Sequence, residues 1–279
     1  MADFIYLYGL VPTKEAENQS FPSMKGFDGQ TELFTIVIQD ITAIVSLLNS
    51  KQYSEEIIQD KINQDMEWLQ EKAFHHHETV INLAKLYTIV PMKFCTIYQN
   101  QERLIEAIQS TRERIAVTFK ALSGNEEWNL KIFCEDSQLK KHVSEKNPVI
   151  EAKKAEVSGL PKGRQFFELK KIDKLIDSEL EKEKHRVSES IHHQLKHFVI
   201  QGNVKRNWNK DVTGRRENMT WNGVYLVSEK SVEPFLKQIK QYEDKMLGLG
   251  WRFEASGPWP AYHFSSFIGE GNHVDKRIN

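Results

Sequence analysis

From Trp128 to Cys134 an apolar side chain falls on every second position, with Trp128, Leu130, Ile132 and Cys134 on one face and Asn129, Lys131 and Phe133 on the other. From about Arg164 to Phe198 the period changes, and Leu169, Ile172, Ile176, Leu180, Val187, Ile191, Leu195 and Phe198 recur at mostly three- and four-residue steps. The first period belongs to a half-buried strand and the second to one face of a long helix. A chain that holds both must pack a helix against a sheet, which restricts it to mixed architectures. The spine lapses at Lys184, and dense Glu and Lys occupy the rest of the helix. Part of it therefore projects past its domain or packs on another element.

The strand signals continue through 199–206 and 219–227, flanking the polar stretch 207–218, and a helix through Phe235, Leu236, Ile239, Tyr242 and Met246 follows. Gly248 and Gly250 stop that helix and Trp251 to Ala255 forms a last strand. The order strand, helix, strand, strand, helix, strand is the ferredoxin-like one. The first half gives a related, less regular order: Phe4 to Leu10, Leu33 to Ile38 and Ile41 to Leu47 as strands, helices from Ser54 onward, a strand around Pro91, and a helix up to Ser123-Gly124. We expect an α+β chain of two domains, 1–123 modified ferredoxin-like and 124–268 ferredoxin-like with a long charged helix over about 164–198, followed by a flexible tail at 269–279. Its 279 residues exceed what one core usually supports.

Charge balance narrows the function classes. Lys and Arg total 38 against 39 Asp and Glu, so the protein has no overall field to draw it onto nucleic acid or an anionic membrane. No apolar run approaches the roughly 20 residues that span a bilayer, and the start lacks a signal-peptide pattern, so we expect a cytoplasmic protein. Cys95 and Cys134 sit in apolar runs and read as small buried hydrophobes.

Catalytic and metal patterns are weak. His75-His76-His77-Glu78 has no HExxH spacing, and adjacent helical residues diverge by about 100°, so a helix-start or surface role suits it better than a metal site. His193 and His197, four apart, form half a zinc pair without a completing ligand. There is no phosphate-binding glycine loop and no nucleophile elbow. We therefore expect no enzyme, no cofactor and no metal. Lys205, Arg206, Lys210, Arg215 and Arg216, interleaved with Trp208 and Trp221, have the composition of a single-stranded nucleic-acid surface, or of an ordinary charged loop. Gly257-Pro258-Trp259-Pro260, with Tyr262, His263 and Phe264, reads either as a rigid strap closing the second domain or as a docking surface.

Three segments together resemble the gas vesicle protein F/L family. They are Tyr6-Leu7-Tyr8-Gly9; His77-Glu78-Thr79-Val80 leading to Ile89-Val90-Pro91-Met92-Lys93-Phe94; and Tyr225-Leu226-Val227 followed by Gly257-Pro258-Trp259-Pro260 and Tyr262-His263-Phe264. Cys95 stands where the family usually has glycine, and Ala261 where it often has a second proline. The resemblance covers nearly the whole chain. It implies an accessory protein of gas vesicle assembly, associated with the vesicle, that binds the small hydrophobic shell protein (GvpA type) and other accessory proteins. It brings no catalytic residues, no nucleic acid and no membrane. Trp259, Tyr262, Phe264, Trp208 and Trp221 are the candidate partner-binding side chains; the alternative is a single-stranded nucleic-acid-binding module.

Overall fold

The computed structural model describes residues 3–265, and the tail expected over 269–279 lies outside them. The chain divides into two compact units, one running to Glu127 and resumed at Pro258, the other Trp128–Gly257.

The first unit holds β1 (Phe4–Pro12), α1 (Thr13–Glu17), β2 (Phe34–Ile38), β3 (Ile41–Leu48), α2 (Glu55–Gln64), α3 (Met66–Ala84), β4 (Val90–Pro91), β5 (Ile97–Tyr98), α4 (Gln101–Ser110) and α5 (Arg112–Leu122). Its sheet has the order β2-β3-β1-β4, with β5 also paired to β1, and every pairing is antiparallel. Gln39-Asp40 makes the tight turn between β2 and β3, with Gln39 at φ 59°.

A bulge between Leu7 and Gly9 lets Tyr6, Tyr8 and Val11 all enter one core with Phe27, Ile44, Leu48, Val80 and Leu83. Gly9 itself is set by close approach. A Cβ there would stand 2.5 Å from the Cδ1 and 2.7 Å from the Cγ1 of Ile89. Ser54 caps α2, its hydroxyl accepting from the Ile57 amide, as the sequence suggests. The next helix differs from expectation. Asp65 breaks the run and caps α3 by accepting from the Trp68 amide, so the histidine triplet lies in the middle of a 19-residue helix and not at its start.

The second unit is built from β6 (Asn125–Cys134), which enters from the first, α6 (Asp136–Lys146), α7 (Pro148–Ser158), α8 (Lys162–Leu195), a 3-10 turn (Lys196–Phe198), β7 (Val199–Val204), α9 (Lys210–Thr213), β8 (Asn218–Ser228), α10 (Glu229–Lys245) and β9 (Trp251–Trp259). Its four strands take the order β7-β8-β6-β9. Most of the stretch 145–162, whose lysines by composition alone suggest a linker, is α7. Asn147 caps it, accepting from the Val149 amide at 2.9 Å, and Pro148 supplies the fixed φ of a first helical residue.

The long helix passes along three clusters in turn. Ile172 and Ile176 meet Ile150 and Val157 of α7, Leu180 meets Leu139 and Val143 of α6, and Val187, Ile191 and Leu195 meet Tyr225, Val227 and Phe235 over the sheet. Lys184, the lapse in the spine, is buried, its ammonium held 2.7 Å from both Asp136 and Glu181. Its stem completes the apolar row while the charge finds partners at the edge.

Candidate functional site

The C-terminal aromatic segment belongs to the first unit. Beyond Trp259 the chain turns tightly, the Tyr262 amide donating to the Pro260 carbonyl at 2.7 Å and the Ser265 hydroxyl to the Ala261 carbonyl at 2.7 Å. Pro258 and Pro260 fix two φ angles in this short stretch, so the aromatic rings ride on a stiff backbone.

Two anchors hold the segment. The first is the imidazole of His77 on α3, nearly parallel to Trp259 (centroids 5.6 Å apart, 26°) and to Tyr262 (6.3 Å, 29°). The second is Glu127, a carboxylate only 1% exposed. It accepts the backbone N–H of His263 at 3.0 Å and lies 2.7 Å from the same residue's Nδ1. Trp259, Tyr262 and Phe264 are all half-buried, each with one side toward the protein and another toward solvent, and Tyr262 joins the edge of the Tyr6 core.

Beneath lies a buried polar chain that reads in one direction only. The Cys95 amide donates to the Tyr6 hydroxyl (3.2 Å), Tyr6 lies 2.8 Å from Nδ1 of His76, and Nε2 of His76 lies 3.1 Å from the Met92 carbonyl. A carbonyl only accepts, so Nε2 carries the proton, Nδ1 accepts from Tyr6, and the Tyr6 oxygen accepts from Cys95. Burial pushes the His76 pKa down to about 4, and pushes the Tyr6 phenol well above its ordinary range. Both groups therefore stay neutral. The chain ties β1, α3 and the 92–95 loop together and offers no proton to a substrate; His76 has neither the surface nor the helix-start position expected of it.

The other sequence candidates fall in the second unit. Trp221 is 6% exposed and donates its Nε1–H to the Tyr225 hydroxyl at 3.0 Å, so it presents no free face. Tyr225 in turn contacts Nδ1 of His192 at 3.0 Å. Trp208 is exposed, with the Lys131 ammonium 4.3 Å above its ring. Arg215 lies 4.5 Å over Phe133 and binds Glu254 at 2.8 Å. The rings of His193 and His197 stand 6.2 Å apart edge to face, and among the described residues no three His, Cys, Asp or Glu side chains converge on a metal position.

Cys134 is buried and Cys95 partly so, and burial pushes both thiols up to about 12, which suppresses the thiolate. Cys95 adopts φ 60°, the left-handed conformation that favours glycine.

Residues 4–266 match the family of gas vesicle synthesis protein GvpL/GvpF. The chain belongs to this family. The solved gas vesicle protein GvpF of Anabaena sp. PCC7120 is similar at a TM-score of 0.69 and 18% identity, over 95% of this chain and 99% of that one. GvpF of Microcystis aeruginosa is similar at 0.62 and 18%, over 96% and 100%. Both are similar in fold: a mixed α/β chain with two antiparallel sheets. No curated protein matches the sequence. Among the described residues of this GvpL/GvpF family member, no helix is long and apolar enough to cross a membrane.

Trp259, Tyr262 and Phe264 stand out in the sequence, but the two residues that hold the segment, His77 and Glu127, do not. His77 was visible inside the family segment His77-Glu78-Thr79-Val80. Nothing local distinguishes Glu127 from the Glu126 beside it.

Proposed function

We propose that this GvpL/GvpF family member is a non-enzymatic assembly factor of the cytoplasm. It holds the small hydrophobic shell protein of the gas vesicle, together with other accessory proteins, while the shell nucleates or grows. The observation that carries the reading is the stiffened row Trp259, Tyr262 and Phe264, half-exposed and fixed from behind by His77 and Glu127. Rigid aromatic side chains give large contact area at small entropic cost, which suits capture of a subunit that exposes apolar strands before assembly.

The buried Tyr6–His76 chain supports a structural reading of the most conspicuous polar cluster. The ferredoxin-like reading of the second unit is supported by its strand order β7-β8-β6-β9. The nucleic-acid alternative loses support because Trp221 is buried and Arg215 is occupied by Glu254 and Phe133.

The test is a pull-down from cells that express the chain with the small shell protein, wild type against Trp259→Ala, with thermal unfolding of both recorded. Shell protein recovered by the wild type and reduced for a variant that still folds is the expected result. Recovery by neither protein overturns the proposal, as do normal vesicles in a strain lacking the gene.

A further inference from the structure

The far end of α8 carries two phenylalanines on the wrong side of the helix. Phe166 is 60% and Phe167 68% exposed, their rings 5.8 Å apart and edge to face. At about 100° per residue, the nine-residue step from Phe167 to the buried Ile176 is two and a half turns, so Phe167 points directly away from the face packed on α7. Leu169 is also exposed (53%), but it sits about 200° round the helix from Phe167 and does not extend the pair. Aromatic side chains left this open mark an interaction site.

Charge says what kind. Between 162 and 174 the helix carries five cations, Lys162, Arg164, Lys170, Lys171 and Lys174, against Glu168 and Asp173. Lys171 takes Glu168 at 2.6 Å, and Lys170 lies 4.9 Å over the Phe166 ring. Lys162, Arg164 and Lys174 are exposed and have no ion pair among the described residues. The rest of α8 behaves otherwise: Lys182, Lys184 and Arg186 are each bound to a glutamate three residues earlier. Position adds to this. Phe167 stands roughly 30 Å along the helix axis from Val187, where contact with the sheet core begins. The α7–α8 hairpin is thus an arm with an aromatic tip and unpaired positive charge around it.

We infer that this tip is a second docking site, and that it packs Phe166 and Phe167 on the apolar face, rimmed by carboxylates, of an amphipathic helix on a protein partner. The apolar pair supplies the contact area, and Lys162, Arg164 and Lys174 select an acidic rim.

The probe is a fluorescent amphipathic helical peptide with Leu on one face and Glu on the other, titrated with the full chain and followed by anisotropy. A peptide with the Glu replaced by Lys is the control. Saturable binding of the acidic peptide is expected, weakened at least about tenfold by Phe166→Ser with Phe167→Ser, and by Lys162→Glu with Arg164→Glu. It should also weaken as salt rises from low to high ionic strength. These positions are exposed, so circular dichroism and melting should match the wild type. No binding of the acidic peptide, equal binding of the basic one, or binding indifferent to both double variants overturns the inference. So does self-association of the wild type that the double serine abolishes, which would make the occupant a second copy. Stronger binding to anionic lipid vesicles than to the peptide assigns the tip to a membrane instead and overturns it as well.

Discussion

The carboxylate of Glu127 holds His263 by two atoms at once, the backbone N–H at 3.0 Å and the ring Nδ1 at 2.7 Å, across 136 residues of sequence. Glu127→Ala removes both contacts and leaves a hole in a wholly buried position. It should cost about 2 to 4 kcal/mol. Glu127→Gln keeps one acceptor and should cost about half that. Hydrogen exchange over 258–265 should quicken in both. Unchanged exchange would mean that the proline-fixed backbone and the His77 stack hold the segment without Glu127.

His76 makes stability depend on acidity. Its folded pKa is about 4 against 6.5 for an ordinary imidazole, so between those values the unfolded chain binds the proton and the folded chain does not. The contribution is present in full above pH 6.5 and falls as the pH drops toward 4, by about 3 kcal/mol over the window. Denaturant melts at pH 7 and pH 4.5 for wild type and His76→Gln should show the smaller loss in the variant, after a lower starting stability at pH 7. An equal loss in both proteins would place the acid sensitivity elsewhere.

The two cysteines should tolerate glycine unequally. Cys95 at φ 60° bears a backbone strain of roughly 1 to 2 kcal/mol that glycine relieves, offsetting the buried sulfur it gives up. Cys95→Gly should melt within about 1 kcal/mol of the wild type. Cys134 lies in extended β6, fully buried against Leu139, Val143 and Leu180, and Cys134→Gly should cost about 2 to 3 kcal/mol. Equal costs would count against strain at Cys95.

At Lys184 shape should matter more than charge. Lys184→Met keeps the stem, and Asp136 retains the Asn218 amide at 2.7 Å, so the change should stay within about 1 kcal/mol. Lys184→Ala also opens the apolar row and should cost about 2 to 3 kcal/mol. A methionine variant as unstable as the alanine one would show that the ion pairs with Asp136 and Glu181 dominate.

The local elements and the family were legible in the sequence, because strand alternation, helix spacing, caps and family segments are all encoded by residues close together in the chain. The run from Trp128 to Cys134 became β6, the spine from Leu169 to Leu195 became α8, and Ser54 capped α2. Even Asn147-Pro148 carried its helix start, although the lysines after it suggested a linker.

Only the tertiary structure decided which second faces are covered. Period cannot tell a histidine on a wet helix face from His76, whose partners Tyr6 and Met92 come from β1 and the loop after β4. Nor can it tell a stacking tryptophan from Trp221, or foresee that the Trp259 segment returns to the first unit to meet His77 and Glu127. A side chain's own neighbours set its backbone conformation, but its burial is set by whatever the fold brings across from distant parts of the chain, and that is written in no single window of sequence.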